Sequence, residues 1–298
     1  MAVDSEAQRL YISRSTHVMV VDLNTEKVVA DIPDTPGVHG IALAPELNRG
    51  FISNGKEDTA TVFDLKTLKV VGQVKTGKNP DVILYDSISK RVFTFNGRSN
   101  DTTVFDAASL EVIGTITLGG RPELATSGGN GKVFVNIEDT SEVVEIDSRK
   151  LSVMKRFSLK PCEEPTGMGY DPVHHRIFSG CHNKIMAILD TEAGKLIATV
   201  PIGEGVDGNG FDSATGLAFS SNGDGTLTVA RELTPGKFQV VETVMTQRGA
   251  RTMAIDPKTN IIYLPAATFS PPPAATPEVP KPRPTMIKDS FVVLVVGK

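Results

Sequence analysis

The chain repeats itself about every 42 residues, and that period restricts its fold more than any other feature. Runs closing on aspartate mark it: Val20-Val21-Asp22, Val62-Phe63-Asp64, Val104-Phe105-Asp106, Glu145-Ile146-Asp147 and Ile188-Leu189-Asp190, spaced by 42, 42, 41 and 43 residues. A second landmark precedes each: Arg9-Leu10-Tyr11-Ile12, Arg49-Gly50-Phe51-Ile52, Arg91-Val92-Phe93-Thr94, Lys132-Val133-Phe134-Val135 and Arg176-Ile177-Phe178-Ser179. It continues as Gly216-Leu217-Ala218-Phe219 and Ile261-Ile262-Tyr263-Leu264, giving seven copies. In the second unit the hydrophobic runs predict strands at about 39–45, 49–54, 59–65 and 69–75, with turn-forming residues between them. Four short strands in a unit of this length predict an all-β fold: a seven-bladed β-propeller of four-stranded antiparallel blades, with 1–298 as a single domain. A β-helix or stacked sandwich would repeat at shorter or irregular intervals. The aspartates that end each run, such as Asp64 and Asp106, read as caps that accept backbone N–H groups of the following turn.

The net charge is −4 and the basic residues are scattered, so no nucleic-acid partner is expected. No apolar run approaches the roughly 18 residues that a membrane span needs. The start, Met1-Ala2-Val3-Asp4-Ser5-Glu6, is too polar for a signal peptide, so either the protein is cytoplasmic or a leader is absent from this chain. A monomer is expected. Two places depart from the repeat. Only Met1 to Arg9 stand where strand a of the first blade and a closing strand are expected, and the chain stops soon after the run 290–296, so an N-terminal closing strand is expected to be missing and blade seven to lack its outer strand. Residues 268–287, with Ser270-Pro271-Pro272-Pro273 and Pro280-Lys281-Pro282-Arg283-Pro284, form a Pro-rich loop inserted between strands b and c of blade seven.

Strand a is innermost in a blade, and its first residues face the channel at the mouth shared by the d–a and b–c loops. Counting twelve residues back from each strand-b aromatic gives His39, Asp81, Thr166, Asp207 and Arg251, and Glu123 takes the place in a unit one residue shorter. These positions vary yet stay polar, as expected of a site grafted on a scaffold. The ring of six therefore predicts a site for a small molecule, a metal ion or a protein partner; the competing reading is a hydrated channel. A divalent metal would use His39, Asp81, Glu123 and Asp207, an oxygen-rich set with one imidazole. Hydrolase- or lyase-like catalysis would use His39 as base and Arg251 to hold an anionic substrate. Passive binding would add backbone and amides of the b–c loops: Asn54-Gly55, Asn96-Gly97-Arg98, Asn136 and Asn222-Gly223, which read first as turns. A further alternative is a scaffold for protein–protein contacts. The glycines at 203, 205, 208 and 210 open a strand rather than a helix, so a dinucleotide fingerprint is rejected.

The units 9–33, 49–77, 91–119 and 176–203 share the pattern Arg-x-Tyr/Phe-hydrophobe, then Val-x-Asp-x-x-Thr-x-Lys-Val-Val-x-x-Ile-Pro-x-Gly. This pattern resembles the YVTN-type repeat, and the whole chain resembles the YncE-like group of bacterial propellers, with weaker copies after about Gly223. The resemblance implies a seven-bladed propeller, periplasmic or secreted, and leaves the reaction, if any, unassigned. Cys162 and Cys181 sit before strand a and at the end of strand b of one unit, neighbours at one end of an antiparallel sheet. A disulfide is expected there, in keeping with an oxidising compartment. The rival is a metal site of Cys162, Cys181 and His182. His174 and His175 read as solvated residues of the opposite face.

Overall fold

In the computed structural model, which describes residues 1–274, 276, 282 and 284–297, the second unit folds as Val38–Ala44, Arg49–Asn54, Thr59–Asp64 and Val70–Lys75. Each limit lies within one residue of the sequence reading. These strands pair in chain order as an antiparallel sheet, and the same arrangement recurs in six sheets. A seventh sheet has three strands: Ala254–Ile255, Ile262–Ala266 and Val292–Val296. The fold is a seven-bladed β-propeller. Blade one takes its inner strand from Ala2–Asp4, which pairs with Arg9, Leu10 and Tyr11. Among the described residues blade seven has no outer strand.

Burial explains the residue choice in each strand. Strands b and c lie between two neighbouring blades and are apolar or small on both faces, as in Arg49–Asn54 and Thr59–Asp64. Outer strands meet water, and Val28, Val29, Val70 and Val112 are each about half exposed. The core is seven wedges, one at each seam between blades. The strand-b aromatic fills the seam towards the next blade: Tyr11 lies 5.6 Å from Phe63, Phe51 5.9 Å from Phe105, Phe134 5.7 Å from Tyr170 and Phe178 5.1 Å from Phe211. The last seam joins Leu10 and Ile12 of blade one to Tyr263 of blade seven, and beside it Ser5 Oγ donates to Asp256 Oδ1 (2.5 Å) while Glu6 pairs with Lys258 (2.5 Å).

Polar residues of the repeat tie blades together on the face away from the mouth. Arg9 donates to the Leu65 carbonyl (2.6 Å), Arg49 to that of Ala107 (2.7 Å) and Arg91 to that of Ser148 (2.8 Å). The strand-ending aspartates cap their turns as the sequence indicates: Asp64 accepts from the backbone of Lys66 and Thr67 at 3.0 and 2.7 Å, and Asp106 from Ala108 and Ser109 at 2.9 and 2.7 Å. These bonds to the ionised form hold both carboxyls below the ordinary aspartate value. The Pro-rich insertion leaves blade seven where the sequence places it. Its two flanks pair, Ser270 N donating to the Thr285 carbonyl (2.9 Å) and Ile287 N to that of Thr268 (2.8 Å). Residues 275, 277–281 and 283 of the tract lie outside the described residues.

Candidate functional site

The ring residues owe their aim to a bulge. Pairing of strand a with strand b slips by one residue at the start of blades two to six, between Val38 and Ile41, beside Asp81, between Pro122 and Ala125, between Pro165 and Met168, and between Val206 and Gly208. Each slip contains the ring residue, and an unpaired residue at a bulge is free of the ladder's alternation. Blade seven supplies Arg251 from the loop before Ala254–Ile255.

A second device fixes the ring backbone from the neighbouring blade. Two places after the strand-b aromatic stand Ser13, Ser53, Asn136 and Ser221. Ser13 donates to the His39 carbonyl (2.6 Å), Ser53 to that of Asp81 (2.6 Å), Asn136 to that of Thr166 (3.0 Å), and Ser221 to that of Arg251. Asn136 is thus occupied in structure. So are the amides of Asn54, Asn96 and Asn222, which turn into their own blades onto Thr59 and Thr61, onto Asp101 and Thr103, and onto Thr226 and Thr228. The Nδ2 donors of these four residues are thus spent on strand c or on the next blade rather than left for a ligand.

All six ring residues line one cavity of about 650 Å³, together with Met1, Glu138 and His182. Thr166 is buried and donates to the Val206 carbonyl at 3.2 Å, so its role there is structural. The other five are charged or ionisable. His39 Nδ1 lies 2.9 Å from Asp81 Oδ1, and Arg251 Nε 3.6 Å from Asp207 Oδ2. Glu123 has only a distant contact with Arg121, at 3.9 Å, while Arg121 pairs closely with Glu138. The hydrogen bond that His39 donates to Asp81 raises the His39 pKa against the opposing effect of burial. Burial raises the Asp207 carboxyl, and Arg251 offsets part of this. Burial, with the charge of Asp81 added, pushes Glu123 up to about 7. Three carboxyls from three blades therefore share one cavity, and burial there disfavours the charged forms of Glu123 and Asp207.

The four residues expected to hold a metal line this cavity wall, but they do not form one compact ligand set. Among the described residues, the His/Cys/Asp/Glu group whose ligand atoms all lie within 4.8 Å of one another is Glu138, Glu164 and His182. Cys162 and Cys181 form the expected disulfide, with Cα atoms 5.5 Å apart. Their thiolates are consumed, so a metal site of Cys162, Cys181 and His182 is excluded; His182 Nδ1 instead lies 2.6 Å from Glu164 Oε2. His174 and His175 sit on the a–b turn of the same blade beside Asp171 and Tyr170.

Glu138 and His182 are the lining residues that the count from the aromatic did not bring out. Each opens a b–c loop, and its backbone N–H donates to the d–a loop: Glu138 to the Arg121 carbonyl (2.9 Å), His182 to that of Glu163 (2.9 Å) and, longer, to that of Glu164 (3.4 Å). In blades two, three and six the same bond joins Gly55 to Gly37, Gly97 to Asn79 and Gly223 to Gly205.

No protein-family model matches the chain, and no curated protein does. Among solved structures it is similar to Kuenenia stuttgartiensis hydrazine synthase, with a TM-score of 0.76 and 16% identity over 88% of this chain and 90% of that one. It is also similar to the dihydro-heme d1 dehydrogenase NirN, solved in complex with DHE, with a TM-score of 0.68 and 16% identity. That match covers 88% of this chain and 59% of NirN. The likeness is one of fold. No helix among the described residues is long and apolar enough to cross a membrane.

Proposed function

We propose that this chain is an extracytoplasmic propeller of the YVTN-repeat, YncE-like kind that binds a small cation-bearing ligand at its channel mouth. The observation that carries the reading is the convergence of Asp81, Glu123 and Asp207 on one cavity, where Glu123 is driven to hold a proton near neutral pH. A positive group entering the cavity takes the place of that proton and relieves the mutual repulsion of the carboxylates. The ammonium of a small organic molecule and a hydrated divalent ion share this chemistry. The disulfide supports an oxidising compartment. A fold neighbour solved with a bound ligand agrees with the reading at the level of the scaffold.

Catalysis by His39 as general base is less favoured by the same geometry. The 2.9 Å hydrogen bond to Asp81 engages Nδ1 and raises the His39 pKa, which favours the charged ring over the neutral one that a general base needs. Thermal melts at pH 7 and matched ionic strength separate the possibilities, with 1,4-diaminobutane, ammonium, magnesium, acetate and phosphate as probes. The expected result is a saturable rise in Tm with the amine or with magnesium, absent for the anions and lost in Asp81→Asn/Asp207→Asn. Equal response to all five probes, or an unchanged response in the double variant, overturns the reading.

A further inference from the structure

The loops at the mouth follow the repeat as closely as the strands do, and blades four and five break it together. Four places after the strand-b aromatic the seven blades carry Ser15, Gly55, Gly97, Glu138, His182, Gly223 and Ala267. The position is small in five blades and bears a metal-ligating side chain in two neighbours. Two places before the ring residue stand Gly37, Asn79, Gly205 and Gly249 in blades two, three, six and seven, all with positive φ. Blade five has Glu164 there, at φ 48°. Glutamate is uncommon in this left-handed region, which glycine and asparagine occupy readily.

These departures meet in space, with the ligand atoms of Glu138, Glu164 and His182 all within 4.8 Å of one another. Glu138 is only 6% exposed, and its Oε2 is paired with the Arg121 guanidinium. Its charge is faced by Arg121, which is shared with Glu123. The other two ligands sit on loops held in register: Cys162 and Cys181 bridge them, and Asn183 Nδ2 donates to the Pro161 carbonyl at 2.8 Å.

The geometry points to a divalent metal site formed by Glu138, Glu164 and His182 on the rim of the channel mouth, suited to zinc. One imidazole and two carboxylates are zinc ligands, and three protein ligands leave a fourth position open. Zinc bonds of about 2.0–2.1 Å set tetrahedral ligand atoms roughly 3.3 Å apart. Closing the triangle to that size falls to Glu164 and His182, whose side chains are 60% and 44% exposed and free to turn. Glu138 and His182 also line the cavity, which puts the open position on the side where a ligand would enter. This site needs neither Glu164 nor His182 to take part in the ring, so it goes beyond the cation reading and does not depend on it.

The test is zinc titration of tag-free, disulfide-intact protein against a chromophoric chelator, with cobalt(II) absorption as a second readout. Wild-type protein is expected to take up one equivalent and to give the visible bands of a low-symmetry cobalt site. His182→Ala and Glu164→Gln, both at exposed loop positions, are expected to weaken binding by about a hundredfold or more, since even the outer partners of metal ligands cost roughly 10–100-fold. Glu138→Gln should do the same if circular dichroism shows it folded. Absence of saturable binding overturns the proposal, as does binding unchanged in both exposed variants. Binding lost in Asp81→Asn but kept in His182→Ala also overturns it, by placing the ion in the ring.

Discussion

Replacing Glu123 with glutamine should stabilise the protein, and only at pH values where the glutamate has to ionise. Burial and the charge of Asp81 move its carboxyl from an ordinary 4.5 to about 7. Between these values the folded state keeps a proton that the unfolded chain has released, so stability falls as pH rises through the window and the cost is complete above it. A shift of about 2.5 units at 1.36 kcal/mol each corresponds to about 3 kcal/mol. The side chain is 23% exposed, and solvent screening brings the expected gain to about 1–3 kcal/mol at pH 8. Little is lost in exchange, because the contact to Arg121 is 3.9 Å long and Arg121 keeps Glu138. Urea unfolding of both proteins in chelating buffer at pH 4.5, 6 and 8 reads the effect. Glu123→Gln should match wild type at pH 4.5 and exceed it progressively above, with equal m-values. A pH-independent difference, or a variant weaker than wild type at pH 8, would refute the account of the cavity as a place that resists ionisation.

Four further outcomes are expected. Cys162→Ser/Cys181→Ser opens a loop with a sequence separation of 19 and should lower stability by about 3 kcal/mol, an effect that a thiol reductant reproduces in wild type but not in the variant. Gly169→Ala places a methyl group 2.7 Å from the carbonyl carbon of Gly210 on the neighbouring inner strand, backbone against which nothing can yield easily. It should cost about 3 kcal/mol in a denaturant melt. Ser53→Ala removes the hydrogen bond accepted from Gly40 N and the one donated to the Asp81 carbonyl, and should cost about 1–2 kcal/mol while weakening amine or magnesium binding at the mouth. Burial acts to raise the Asp86 carboxyl, but hydrogen bonds from Ser127 and Ser89 outweigh it and hold the group below the ordinary aspartate value. Its contribution is therefore present above that ordinary value and lost as pH falls through the folded one, so Asp86→Asn should flatten the acid limb of the stability–pH curve.

The fold was legible because each blade buries the same faces and so repeats the same apolar columns. Strand limits in the second unit followed from Val62-Phe63-Asp64 and Arg49-Gly50-Phe51-Ile52 alone. The ring was legible for a related reason: the strand-b aromatic is a fixed ruler, and twelve residues back from it lies the bulge that turns a side chain into the channel. Amide direction was not legible. Asn54 and Asn222 are spelled as turns, and only the pairing of strands b and c shows that Thr59 and Thr61, or Thr226 and Thr228, capture them. Glu138, Glu164 and His182 escaped a count made at one position. Reading two more columns of the repeat, four after the aromatic and two before the ring, would have shown blades four and five as exceptions. What no column reveals is that these columns touch across a seam.

The hydrogen bonds from Ser13, Ser53, Asn136 and Ser221 to the ring carbonyls of the following blades have a consequence for how such a protein can be rebuilt. A gene segment that encodes one blade brings in its ring side chain but leaves that residue's anchor behind in the preceding segment, and brings an anchor for a residue it does not encode. Recombination at repeat boundaries would therefore conserve the architecture while dissociating His39, Asp81, Thr166 and Arg251 from their supports. The segment that transplants a working ring position runs from strand b of one blade through the bulge of the next, out of phase with the blade itself.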